Sequence, residues 1–137
     1  MAGVHFTFDN FKQLLDLTVG LAQRLDENRS ESFTLLYCDF STISKEVIDG
    51  SLDSVLRNSD SVVNCESNYF FILPYTDKYG AEVVKKMFEE FSAREVNGFS
   101  MSYPADGEDS RAVVEKLRQS VKSNYKIDLK CLEIPFR

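Results

Sequence analysis

The sequence is poor in the residues that build metal and redox centres. It has one histidine, His5, and three widely spaced cysteines, Cys38, Cys65 and Cys131. No CxxC pair exists, so a zinc site has no ligand set. Three cysteines inside apolar, strand-like runs read as buried reduced thiols in a reducing compartment. Basic charge is scarce as well: 16 Lys and Arg against 22 Asp and Glu leave a formal net charge of −6. Binding along a nucleic-acid polymer needs clustered Lys and Arg, so that class is excluded, while a local pocket for a small anion is not. Long apolar runs are missing too. None approaches the ~20 residues of a membrane helix, and Met1 to Asn10 lack the basic stretch and apolar core of a signal peptide. A cytoplasmic protein is expected. Repeats, linkers and low-complexity segments are absent.

What remains is ordinary globular material. The 137 residues suit one domain spanning 1–137, and 43% hydrophobic with 28% charged residues is the balance of a soluble fold. Eleven Phe and six Tyr supply enough large side chains for a core.

Periodicity divides the chain. Phe11, Leu14, Leu15, Ala22 and Leu25 recur at helical spacing, predicting a helix over about 9–26 with Thr7 or Asp9 as its cap and the polar stretch Asp26 to Ser32 after it. Phe33 to Phe40 is almost continuously apolar, as in a central strand covered on both faces. Ser41 to Ser44 offers caps for a helix carrying Ile48, Leu52, Val55 and Leu56, which Gly50 weakens. Two strands, Ser61–Cys65 and Asn68–Leu73, are joined by Glu66 and Ser67 in a tight turn. Asp77 caps a third helix with Val84, Met87, Phe88 and Phe91 on one side. A strand at about 97–103 follows, then a polar turn and a helix with Val113, Val114, Leu117 and Val121 aligned. Ile127, Leu129 and Cys131 alternate with polar residues and predict a last strand.

From Phe33 the order is β-α-β-β-α-β, over about 33–103, with a helix and strand added over about 109–134. That is an α+β, ferredoxin-like arrangement. It predicts an antiparallel-rich mixed sheet of about five strands, helices mostly on one face, and the Phe33–Phe40 strand beside the hairpin's second strand. Phe70 and Phe71 point to opposite faces, so at least one should meet helices.

Four stretches, in order and covering most of the chain, resemble the GGDEF (diguanylate cyclase) family. SYPADGED, Ser102 to Asp109, is similar to the strand-turn-helix near the end of such domains. FFILPYTD, Phe70 to Asp77, is similar to the stretch after the signature hairpin. FTLLYCDF resembles the first strand, which in the family ends in a metal-binding aspartate. RNSD, Arg57 to Asp60, resembles the RxxD motif that forms an inhibitory site for cyclic di-GMP. The resemblance implies a nucleotide-cyclase-like fold.

The departures bear on activity. The signature position is occupied by Cys65, Glu66, Ser67, Asn68 and Tyr69. The family's two glycines let the hairpin backbone lie against substrate phosphates, because glycine has no Cβ; Cys65 and Glu66 stand there. The family's acid at the fourth position is Asn68. Of the Mg²⁺ ligands the resemblance implies, only Asp39 survives, and one carboxylate is a poor Mg²⁺ site. Only 25 residues, 40 to 64, separate Asp39 from Cys65. The shortened segment has no equivalent of the family's guanine-recognising Asn and Asp. Cyclase activity, catalytic residues and a resident cofactor or metal are therefore not expected.

Each candidate has a structural alternative. Asp39 can bind metal or cap the turn after its strand. Arg57 can pair with a phosphate of cyclic di-GMP while Asp60 accepts from a guanine edge. Equally, Arg57 at a helix end and Asp60 in a turn serve the fold alone, and Asp60 lies one residue closer to the hairpin than in the family. Glu66 and Ser67 read as exposed turn residues. Cys65 has no neighbouring base in sequence, and Ser100 and Ser102 lack a GxSxG context. Two functions follow: a non-catalytic regulatory domain acting through a protein partner or homodimer in bacterial signalling, or a cyclic di-GMP effector using Arg57 and Asp60.

Overall fold

The structure, a computed structural model, describes residues 3–25 and 29–137. It contains five strands, β1 (Val4–His5), β2 (Glu31–Asp39), β3 (Ser61–Cys65), β4 (Asn68–Pro74) and β5 (Gly98–Pro104). Four helices accompany them: α1 (Phe11–Leu25), α2 (Lys45–Val55), α3 (Lys78–Ser92) and α4 (Ser110–Tyr125). The strands form one sheet in the order β1-β3-β4-β2-β5. All neighbours are antiparallel except β1 and β3. The β2-α2-β3-β4-α3-β5 core is the expected ferredoxin-like unit, and β2 lies beside β4 as expected.

Strand periodicity builds the layers. Phe33, Leu35 and Tyr37 of β2 join Phe70 and Ile72 of β4 on one face, while Leu36 and Cys38 join Tyr69, Phe71 and Leu73 on the other. Phe70 meets Phe11 of α1 at 5.3 Å between ring centroids, and Phe71 stacks on Phe88 of α3 at 4.9 Å. Both adjacent aromatics therefore contact helices. One expectation is corrected here: helices cover both faces, with α2 and α3 on one and α1 and α4 on the other. The two helices outside the ferredoxin-like core supply the second layer. A strand apolar on both sides, such as β2, requires this.

Local signals set most boundaries. Ser44, Asp77 and Asp109 cap α2, α3 and α4 by accepting from Val47, Gly80 and Ala112 N–H groups. Helix α1 begins after a 3-10 turn, Phe8–Asn10, for which Thr7 occupies the cap position. The expected helix end at Asp26 lies outside the described residues. Gly50 does not split α2. A Cβ there would come within 3.3 Å of the Phe91 ring, so the glycine admits close approach of α3.

The expected C-terminal strand at Ile127–Cys131 is not formed. The chain there makes a 3-10 turn at Lys130–Leu132, and Leu129, Leu132 and Phe136 are buried against the α1 side of the core. Parts of the outer strands near that segment are already engaged. On β3, β1 takes the outer groups, with Val4 and Phe6 N–H donating to Asp60 and Val62 carbonyls. On β5, Asp106 exchanges bonds with both backbone groups of Ser102, and the Tyr125 hydroxyl donates to the Gly98 carbonyl. Occupied edges of this kind block further pairing. Among the described residues, no helix is long and apolar enough to cross a membrane.

Candidate functional site

The hairpin between β3 and β4 projects from one end of the sheet, beside the end of β2. Antiparallel register sets Asp39, the last residue of β2, directly opposite Asn68, the first of β4. Cys65 faces Asn68 from β3. Glu66 turns the chain with φ 56°, a left-handed conformation that favours glycine, and Asn64 steadies the turn by donating to the Glu66 carbonyl at 2.8 Å. The Phe40 N–H donates to the Ser67 carbonyl, closing the hairpin onto the segment after β2. Glu66 is exposed, Ser67 and Asn68 are half-buried, and Tyr69 is buried against Phe40. The signature positions and Asp39 therefore come together, whereas Arg57 and Asp60 lie at the opposite end of β3 and β4, beside Pro74.

Their polar atoms are largely engaged within the protein. Asp39 Oδ1 accepts from the Ser41 N–H at 3.0 Å, the turn-capping arrangement. Asn68 Oδ1 accepts from the buried Tyr37 hydroxyl at 2.8 Å. Burial foremost, and then the Asp39 charge, raises the Tyr37 pKa, which keeps that hydroxyl a donor. Tyr37 has no local signal of this role; it emerges only from strand register. Among the described residues, no group of three His, Cys, Asp or Glu side chains is arranged to hold a metal ion. Asp39 is the single carboxylate of the expected pair, and the amide oxygen opposite it already has a donor. The Mg²⁺ that the fold family implies therefore does not fit the donor set here.

The segment between β2 and β3 holds one helix, α2, of 11 residues. Its end carries Arg57 and Asp60, and these bind each other. Arg57 Nη2 lies 2.7 Å from Asp60 Oδ1, and the Arg57 backbone N–H donates to Oδ2 at 2.8 Å. The same Nη2 donates to the Pro74 carbonyl and Thr76 Oγ1, each at 2.9 Å. Asp60 is only 2% exposed, whereas the Arg57 side chain is half exposed. The pair staples the end of α2 to the β4–α3 connection.

A second feature was not legible in sequence. The C-terminal half of α1 and the sheet enclose an apolar wedge of about 310 Å³, lined in part by Leu14, Leu21, Phe33, Ile72 and Tyr75. Around it, Leu17, Leu21, Leu25 and Tyr75 are each more than half exposed.

No family model matches the sequence, and no curated protein matches it. Solved structures do match. One is the crystal structure of a DGC protein from Thermotoga maritima, with a TM-score of 0.63 at 16% identity, covering 83% of this chain and 93% of that one. The chain thus has a diguanylate-cyclase-like α+β fold, a five-stranded mixed sheet with four helices.

Proposed function

We propose that this chain is a catalytically inactive, GGDEF-like domain that acts in bacterial signalling through a protein partner or a second copy of itself. The observation that carries the reading is the Asp39–Asn68 pair. At the strand ends where two carboxylates would have to face a metal, one is an amide already bonded to Tyr37. The side chains of Cys65 and Glu66 stand where a phosphate-binding hairpin needs bare backbone. The short α2 region leaves no segment to recognise a base. The apolar face of α1 is the surface such a role would use, because exposed leucines in one stripe favour burial against another protein.

The test combines two assays. Incubation with GTP and Mg²⁺ or Mn²⁺ should give no cyclic dinucleotide, and light scattering should find a dimer or a co-purifying complex. Product formation would overturn the inactivity, and a strictly monomeric protein without a partner would overturn the contact role. Calorimetric titration with cyclic di-GMP addresses the effector alternative. The buried Asp60 carboxylate leads us to expect silence, and saturable binding lost in Arg57→Ala would replace this reading with that one.

A further inference from the structure

Strand β5 ends the sheet beside β2, and its outer edge lines an open groove of about 610 Å³ between α3 and α4. Helical spacing puts Lys78, Glu82 and Lys85 on one side of α3, and Lys116 and Ser120 on one side of α4; all five line the groove. In an antiparallel pair, alternate residues turn both backbone groups away from the partner strand. Ser102 does so: its N–H donates to Asp106 Oδ2, and its carbonyl accepts from the Asp106 N–H, each at 2.8 Å. The Gly98 carbonyl likewise accepts from the Tyr125 hydroxyl at 2.7 Å. Ser100, midway between them, therefore aims its N–H and C=O into the groove. Among the described residues, no loop or side-chain group bonds to either.

Tyr125 and Asp106 leave a gap one residue long. A docking strand needs several consecutive pairs, so this gap excludes one. It suits a small molecule carrying one donor and one acceptor spaced as in a single amino acid. Asp106 shows what chemistry the edge accepts, since its carboxylate takes the Ser102 N–H together with Lys78 Nζ at 2.7 Å and Lys116 Nζ at 3.1 Å. Two residues along, the Ser100 N–H and Lys85 repeat that donor set without a carboxylate. The Lys85 side chain is only 16% exposed, and a Cβ on Gly98 would meet its stem at 3.1 Å. Its nearest carboxylate, Glu82, stands 4.0 Å away, too far for a hydrogen bond. Three lysines against Glu82 and Asp106 leave the groove one positive charge in excess, in a chain of net charge −6.

We propose that this groove binds a free acidic α-amino acid of the glutamate or aspartate type. The α-ammonium donates to the Ser100 carbonyl, with Glu82 as its counter-charge. The α-carboxylate accepts from the Ser100 N–H and Lys85, and the side-chain carboxylate reaches the Lys78–Lys116 pair. The net charge of −1 on such a ligand matches the excess charge of the groove. The inference goes beyond the proposed function and rests on neither inactivity nor a partner.

The test titrates the full-length protein with L-glutamate and L-aspartate, by calorimetry and by amide NMR. Saturable binding of at least one, with a dissociation constant under about 1 mM, is expected, with shifts centred on Ser100. Lys85→Met keeps the stem against Gly98 and removes the charge, and should weaken binding at least about tenfold. Ser100→Pro deletes only the outward N–H, which an edge strand tolerates, and should do the same; if it fails to fold, Lys85→Met carries the test. Glutarate, which lacks the ammonium, should bind at least about tenfold more weakly than glutamate. Glutarate or inorganic phosphate binding as tightly as the amino acids would overturn the assignment in favour of an unselective anion site. Shifts centred away from β5, or no saturation by either amino acid at about 10 mM, would overturn it outright.

Discussion

Replacing Asp60 by alanine removes a carboxylate that is 2% exposed and that receives the Arg57 backbone N–H at 2.8 Å and its Nη2 at 2.7 Å. A buried hydrogen bond to a charged group contributes about 1.5–3 kcal/mol. The guanidinium half of the pair is half solvated, so its ionic part adds only about 0.5–1 kcal/mol. The expected loss is therefore about 2–4 kcal/mol. Arg57→Ala should cost a similar amount, because it leaves the buried carboxylate without its counter-charge and removes the donor to Pro74 and Thr76. The double variant should lose less than the sum, with a coupling of about 1 kcal/mol or more. Urea unfolding reads all three as midpoint shifts at unchanged slope. If each single substitution costs under about 0.5 kcal/mol and the two add, the pair is not a fold staple, and Arg57 is available for a ligand. The same series guards the cyclic di-GMP titration, since lost binding in Arg57→Ala means nothing unless that variant is folded.

Three other outcomes are expected. Asn68→Asp sets a second carboxylate opposite Asp39, and like charges across a strand pair should destabilise by under about 1 kcal/mol, with GTP still not turned over because α2 offers no base-recognition segment; chromatography of the nucleotides checks this. Gly50→Ala should stabilise by about 0.5 kcal/mol in thermal unfolding, as helix propensity gains and the half-exposed Phe91 ring can yield; a clear loss would mean that the α2–α3 approach is rigid. Burial opposes the Asp106 charge, but hydrogen bonds from Lys78, the Ser102 N–H and Lys116 outweigh it and lower its pKa. A carboxylate depressed on folding contributes stability that is present above its unfolded pKa of about 3.9 and lost as pH falls below that. Asp106→Asn should therefore flatten the acid limb of the stability–pH curve below about pH 4 and change little of its shape above.

Much of the fold was legible because it depends on short-range chemistry. The doubly apolar β2, the β3–β4 hairpin and the caps Ser44, Asp77 and Asp109 follow from periodicities of 2 and 3.6 and from side chains that reach their own backbone. The signature residues Cys65 to Asn68 pointed to the hairpin that meets Asp39. Tertiary structure decided what depends on which distant groups compete for the same space. Alternation at Ile127–Cys131 looked like a strand, yet the segment packs Leu129 and Leu132 into the core through a 3-10 turn instead, and which distant surface a tail settles on is a tertiary choice. Arg57 and Asp60 read as a ligand site or, more readily, as a helix end and a turn, and only the tertiary structure shows the buried carboxylate paired with the guanidinium. Tyr37 met Asn68 only through strand register, which no local pattern encodes because it is a sum over the whole packed core.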